Sequence, residues 1–286
     1  MRFISFELDG KVGLAVQYGY NWHGATAGAA QFSGTLEALI GAGGTALADA
    51  AKKLSTAPQI DLTQVRIQPP VSNPEKIVCI GLNYVDHSAE SGFKQPEFPT
   101  VFGRFNSSLI GDGAPIIKPP QSEQLDYEGE LVAIIGRTAR HVSEEDALGF
   151  VIGYSIFNDA SIRDYQFKAP QWTPGKNFDG TGAFGPCFVT ADELPTGCAG
   201  LNLQTRLNGV VVQKASISDM VFSVARLVSI LSSFMTLKPG DVIVTGTPSG
   251  VGLARKPPLW MKPGDVVEVE IEKIGVLRNP IAAERV

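Results

Sequence analysis

The chain has 286 residues, 44% of them hydrophobic, and a formal net charge of -5. That length and composition bury a substantial core, so disorder is not expected, and they suit one large domain or a large one with a small partner. The acidic balance, with no run rich in Lys or Arg, excludes a protein whose main work is gripping phosphate backbones, and nucleic acid is not an expected partner.

In chain order, Met1-Arg2-Phe3-Ile4-Ser5-Phe6-Glu7 lacks the charged, apolar and small-residue stages of a secretory signal. No apolar run approaches the length of a bilayer span, so a cytoplasmic protein without a membrane partner is expected. Phe3–Phe6 and Val12–Val16 read as strands joined by a turn at Asp9-Gly10. Thr35–Ile40 and Leu47–Leu54 read as helices, and Pro69-Pro70 closes the segment with extended backbone. Residues 1–70 are expected to form a small lobe, with residues 71–286 as the main domain.

From Lys76 onward the texture is one of short apolar runs bounded by Gly, Pro, Asn and Asp: Ile77–Ile80, Leu131–Ile135 and Val151–Phe157. This favours a strand-rich α+β domain with few helices. The best helical stretch is Ser216–Thr236, where Met220, Val221, Val224, Leu227, Val228 and Leu231 recur at helical spacing. Two Lys-Pro-Gly-Asp turns, Lys238–Asp241 and Lys262–Asp265, each precede a run rich in Val and Ile, and both are expected to launch strands of one sheet system. Cys79, Cys187 and Cys198 lie far apart and outside any CxxC spacing, so they read as core or surface thiols.

The chemistry starts at Asp126-Tyr127-Glu128-Gly129-Glu130-Leu131. Side chains alternate across a strand, so Glu128 and Glu130 share one face, with Gly129 leaving the opposite face open. Adjacent buried carboxylates repel, and a bound cation removes the conflict; hard oxygen ligands suit Mg²⁺, Mn²⁺ or Ca²⁺ rather than zinc. An edge strand with solvated glutamates is the alternative. Asp159 ends the run Val151–Phe157-Asn158. It either caps a following helix or binds metal there. If that helix forms, Asp159, Arg163 and Gln166 lie on one face.

His23 and His141 read as surface or structural residues. His87 follows an apolar run, with Glu90 one helical turn on, a spacing that lets a carboxylate orient a base. Lys176, in a loop dense in Gly, Pro and aromatic residues, offers a cation for an oxyanion or a substrate carboxylate; an exposed loop lysine is the alternative. Thr245-Gly246-Thr247-Pro248-Ser249-Gly250-Val251-Gly252 lacks the Gly-Lys-Ser/Thr ending of a phosphate loop, though its amides and the Thr247 hydroxyl suit a carboxylate.

In this order, Gly-Leu-Asn-Tyr-x-x-His-x-x-Glu, Tyr-x-Glu-Gly-Glu-Leu, the Asp159 segment, Lys176 and Thr-Gly-Thr-Pro-x-Gly-Val-Gly resemble the fumarylacetoacetate hydrolase family, from Lys76 to Val276. The nearest branch is that of acylpyruvases and 2-hydroxyhepta-2,4-diene-1,7-dioate isomerases. The resemblance implies a mixed β-sandwich roll, often with a small N-terminal lobe and commonly a homodimer. It implies Glu128, Glu130 and Asp159 as ligands of Mg²⁺ or Mn²⁺, His87 with Glu90 as the water-activating pair, and Lys176 on the oxyanion side. Arg163, Gln166 and Thr247 fall where the family binds or orients substrate. Arg104 stands where the family more often has lysine; it either grips a substrate carboxylate or pairs with a neighbouring acid.

The implied reaction is hydrolytic cleavage of a carbon-carbon bond in a 2,4-dioxo acid through a metal-stabilised enolate. The same site serves 2-oxo acid decarboxylation, dienoate isomerisation or ureidoglycolate-type lyase chemistry. A catalytically silent carboxylate-binding relative is the reading of a different class.

Overall fold

The computed structural model describes residues 1–86 and 97–285. At the amino end, Asp9 and Gly10 take φ of 50° and 72°, the pair of positive values a tight hairpin needs, and join strands Arg2–Leu8 and Lys11–Tyr18. These strands open the larger of two main sheets. Its path runs Asn21–Thr26, Lys11–Tyr18, Arg2–Leu8, Gly182–Thr190, Val151–Asp159, Gly129–Ile135, Val242–Val244, Ile77–Gly81 and Thr100–Arg104. Residues 1–70 are thus hydrogen-bonded into the same sheet as the acidic strand, through Phe3 opposite Phe188. Along this path the pairs are antiparallel except Val242–Val244 beside Ile77–Gly81.

The second sheet runs Val210–Ser216, Asn202–Leu207, Val266–Ile271, Gly275–Ala283 and Ile116–Lys118. Strand Gly129–Ile135 lies between layers and is buried along its whole length. Its odd-numbered residues Leu131, Ala133 and Ile135 share a core with Val267, Val269 and Ile271 of the second sheet. Its even-numbered Val132 and Ile134 share another with Leu36, Leu39 and Ile40, from helix Leu36–Ala42. A strand covered on both faces reads as a continuous apolar run, as Leu131–Ile135 does. Period-two parity then assigns Glu130 to the face of Val132, and Gly129 to the face of the second sheet.

Three expectations need correction. Gly129 does not leave an open face: a Cβ there would stand 2.3 Å from Thr205 Oγ1 and 2.9 Å from Val269 Cγ1. Helix Val224–Phe234 is shorter than the apolar stripe, because Ser216 and Asp219 close a capping box around the turn Ile217–Asp219 and Ser223 starts a new cap. Asn83 holds the intervening backbone, accepting from Phe222 N at 2.8 Å and donating to Phe222 O at 3.0 Å. The two Lys-Pro-Gly-Asp turns fold alike, with Asp241 accepting from Lys238 N at 2.8 Å and Asp265 from Lys262 N at 2.7 Å, yet they launch strands of different sheets. Turn chemistry is local, whereas the choice of sheet depends on what each strand packs against.

The three cysteines are buried and unpaired. No helix among the described residues is long and apolar enough to cross a membrane.

Candidate metal centre

Because Glu128 and Glu130 sit two residues apart at the start of a buried strand, their carboxylates leave the backbone on one side. The neighbouring strand Val151–Asp159 is registered so that Gly129 faces Asn158, and Asp159 N donates to Glu128 O at 2.9 Å. This register carries Asp159 to the same place. Glu128, Glu130 and Asp159 are 5%, 2% and 0% exposed, and one carboxylate oxygen of each lies within 4.8 Å of the others. Asp159 caps no helix; the short helix Arg163–Gln166 begins after Ile162.

Burying like charges demands compensation. Lys176, 1% exposed, donates to Glu128 Oε2 at 2.7 Å and to Asp159 Oδ2 at 2.6 Å. Arg104 pairs with the other oxygen of Asp159 and also bonds Ser108 and Thr181, so it takes the neighbouring-acid role. Arg163 Nη1 reaches Glu128 Oε1 at 2.6 Å, while its Nε reaches Asp126 Oδ2 at 2.8 Å. Burial alone would lower the Lys176 pKa, but Asp159 and Glu128 outweigh it and hold the amine protonated.

Glu130 is different. Among the described residues no basic side chain pairs with it, and its Oε2 accepts from the Gly246 amide. Burial, reinforced by Asp159 and then Glu128, pushes its carboxyl well above the usual range. Among the described residues, four buried carboxylates, Asp126 included, face three cations, Arg104, Arg163 and Lys176. The oxygen-only donor set and the uncompensated Glu130 fit a hard divalent cation held by Glu128, Glu130 and Asp159.

A cavity of about 60 Å³ opens on this cluster. Glu128, Glu130, Arg163, Gln166, Lys176 and Thr247 form its polar side, and Phe102, Phe167 and Trp172 contribute aromatic walls. Arg163 Nη2 is buried without a hydrogen-bond partner among the described residues. Arg163 Nη1 donates to Gln166 Oε1 at 2.9 Å, which fixes the amide so that Gln166 Nε2 remains a donor. The Thr247 hydroxyl donates to Gly129 O at 3.0 Å and accepts from Gln213 Nε2 at 2.8 Å. The glycine-rich loop does grip carboxylates, but they are the protein's own: Gly246 N holds Glu130, and Gly252 N and Leu253 N hold Asp126.

Of the residues expected from the sequence, Glu128, Glu130, Asp159, Arg163, Gln166, Lys176 and Thr247 converge here, and Arg104 joins them behind Asp159. His87 and Glu90 lie outside the described residues. Asp126 and Gln213 went unassigned. Asp126 stands in the acidic motif itself, whereas Gln213 carries no local signal, because it arrives from the second sheet to bond Gly129 N at 3.0 Å. Gly129→Ala is expected to destabilise the protein by about 1–3 kcal/mol, since Thr205 and Val269 leave no room for a methyl group. An unchanged denaturation midpoint in urea would contradict that packing.

The family described as fumarylacetoacetate (FAA) hydrolase C-terminal matches residues 76–282. The mitochondrial oxaloacetate tautomerase fahd2 of Xenopus laevis is 38% identical over 288 residues, covering 98% of this chain and 90% of that protein. A fumarylacetoacetate hydrolase structure from psychrophilic Exiguobacterium antarcticum superposes with a TM-score of 0.87 at 36% identity, covering 99% of this chain and 100% of that one. The maleylpyruvate hydrolase of Sphingobium sp. SYK-6, in complex with manganese(II) and pyruvate, gives a TM-score of 0.81 at 28% identity over 100% of both chains.

Proposed function

Because this chain belongs to the fumarylacetoacetate hydrolase family, we propose that it interconverts the keto and enol forms of a small 2-oxo diacid, with oxaloacetate as the first candidate. The observation that carries this reading is the pairing, on one cavity, of a buried carboxylate triad with an arginine whose Nη2 lacks a partner among the described residues. The triad suits a divalent cation, which when bound acts as a Lewis acid toward a 2-oxo group. Mg²⁺ and Mn²⁺ both fit the donors, and the manganese in the maleylpyruvate hydrolase structure supports the second. The similarity to an oxaloacetate tautomerase over 98% of the chain supports the substrate.

The chain's own groups divide the remaining work. Arg163 Nη2 and Gln166 Nε2 donate to a substrate carboxylate and fix its orientation. Lys176, held protonated, opposes the negative charge that develops on the 2-oxo oxygen as a C3 proton leaves. The partly buried rings of Phe102 and Trp172 reduce the water beside these groups and so strengthen the interactions. On the His-x-x-Glu spacing of the sequence, the scheme gives His87 the C3 proton, and the enol forms when that proton is returned to the 2-oxo oxygen.

Enolisation needs these groups and one base; hydrolytic cleavage of an acylpyruvate needs a positioned water as well. The His-x-x-Glu spacing and the likeness to maleylpyruvate hydrolase favour cleavage as the second reading. A panel of oxaloacetate and 2,4-dioxo acids, followed by enol absorbance, pyruvate release and carbon dioxide release, separates them. The expected result is accelerated loss of enol oxaloacetate without pyruvate. Pyruvate released from an acylpyruvate, with oxaloacetate tautomerisation at the uncatalysed rate, would favour cleavage instead.

A further inference from the structure

Asp126 is fully buried, yet it does not line the cavity and is not one of the three clustered carboxylates Glu128, Glu130 and Asp159. Its carboxylate is saturated by four donors from three parts of the chain. Oδ1 accepts from Tyr127 N at 2.8 Å and Gly252 N at 2.7 Å; Oδ2 accepts from Leu253 N at 3.0 Å and Arg163 Nε at 2.8 Å. Gly252 is fitted to this contact, since a Cβ there would stand 2.6 Å from Asp126 Oδ1 and 2.0 Å from Leu259 O. The same loop sends Val251 and Leu253 into the cavity lining.

We propose that Asp126 is a positioning residue that fixes Arg163 for substrate binding by tying its Nε edge to the Gly252-Leu253 loop. The guanidinium is a rigid planar fork, so fixing the Nε edge fixes the others. With Nε on Asp126 and Nη1 shared between Glu128 and Gln166, Nη2 is the donor left for a ligand carboxylate. A neutral amide at this position cannot serve all four donors, because its nitrogen would face an N–H group. The arginine is then misaimed while the metal-binding carboxylates stay in place. This inference rests on the reading of Arg163 as a carboxylate anchor.

Oxalate, a chelating dicarboxylate, is a suitable probe. Its affinity for the Mn²⁺-loaded full-length protein is measured by calorimetry for wild type, Asp126→Asn, Arg163→Lys and the double variant. Asp126→Asn should weaken oxalate binding about tenfold, the scale of one misaligned charge-assisted hydrogen bond. Mn²⁺ affinity should stay within about twofold, as expected where no ligand to the metal has changed. In the Arg163→Lys background the Asp126 change should add almost nothing to the loss, because its effect runs through the guanidinium. The KM for oxaloacetate should rise more than kcat falls.

Additive losses in the double variant, or a parallel loss of Mn²⁺ affinity in Asp126→Asn, would overturn the inference in favour of a general structural role. Wild-type protein that binds oxalate but turns over no 2-oxo acid would overturn the proposed reaction alone, and the double-variant cycle would still decide the role of Asp126. Wild-type protein that binds no oxalate would overturn both.

Discussion

Glutamine in place of Glu130 is expected to lower metal-dependent turnover by about three orders of magnitude, the several kcal/mol a Lewis acid supplies, while leaving the metal-free protein at least as stable as wild type. The two effects have opposite signs for one physical reason. Glu130 is 2% exposed, carries no basic partner among the described residues, and has its pKa raised by burial and by Asp159 and Glu128. An ionised carboxylate there opposes folding until a cation arrives. Glutamine keeps an acceptor for the Gly246 amide but cannot supply the charge a metal needs.

The pH dependence follows from the direction of that shift. In the folded chain the Glu130 carboxyl holds its proton to higher pH than in the unfolded chain, where the ordinary value is 4.5. Between those values the folded state binds more protons, so its contribution to stability falls as pH rises through the folded pKa. Glu130→Gln abolishes this term. Thermal unfolding of the chelator-treated proteins should therefore show a stability gap in favour of the variant that opens above the ordinary carboxylate range and widens with pH. A gap that closes with rising pH would contradict the assignment, as would unchanged turnover with Mn²⁺.

Lys176→Met should produce the converse in the metal-free protein. Its amine bonds Glu128 and Asp159 at 2.7 and 2.6 Å, and all three groups are buried. Removing one partner from such a cluster leaves uncompensated charge and costs about 3–5 kcal/mol, which for a protein of this size lowers Tm by about 10 °C. Divalent metal supplies positive charge at the same carboxylates, so Mn²⁺ should raise the Tm of the variant by more than it raises that of wild type. Turnover should remain lower by about a hundredfold or more with metal bound, because the cation opposing the developing oxyanion is gone. A metal-free Tm equal to that of wild type would show that Lys176 does not balance the carboxylates.

Much of this site was legible in the sequence, though not for uniform reasons. The shared face of Glu128 and Glu130 follows from strand periodicity, and parity with Val132 and Ile134 holds through the fold. Asp159 was visible only as a strand-end acid with more than one use. Its place beside Glu128 depends on the register of two strands, which no local pattern encodes. The Gly129 position shows the limit from the other side. An apolar run tells that a strand is buried, but not that Thr205 and Val269 press on the one residue without a side chain.

The same distinction explains the misread helix. The apolar stripe is buried at Val224, Leu227, Val228 and Leu231 and partly buried at Met220 and Val221, but backbone hydrogen bonding to Asn83, far away in the chain, stops the helix from extending to Met220. Asp126 went unassigned because its partners are mostly backbone amides, which every sequence possesses. Side-chain chemistry is written in residue types; loop amides are aimed only by the fold.

The proposed chemistry requires a divalent cation on the carboxylates of Glu128, Glu130 and Asp159. The most direct test is to strip the protein with chelator, titrate Mn²⁺ back, and follow bound metal and oxaloacetate enol absorbance in the same samples. Negligible acceleration is expected without metal, and a rate that rises in proportion to occupancy, reaching its maximum at one ion per chain. Full activity in the stripped protein, or metal binding that leaves the rate unchanged, would contradict it.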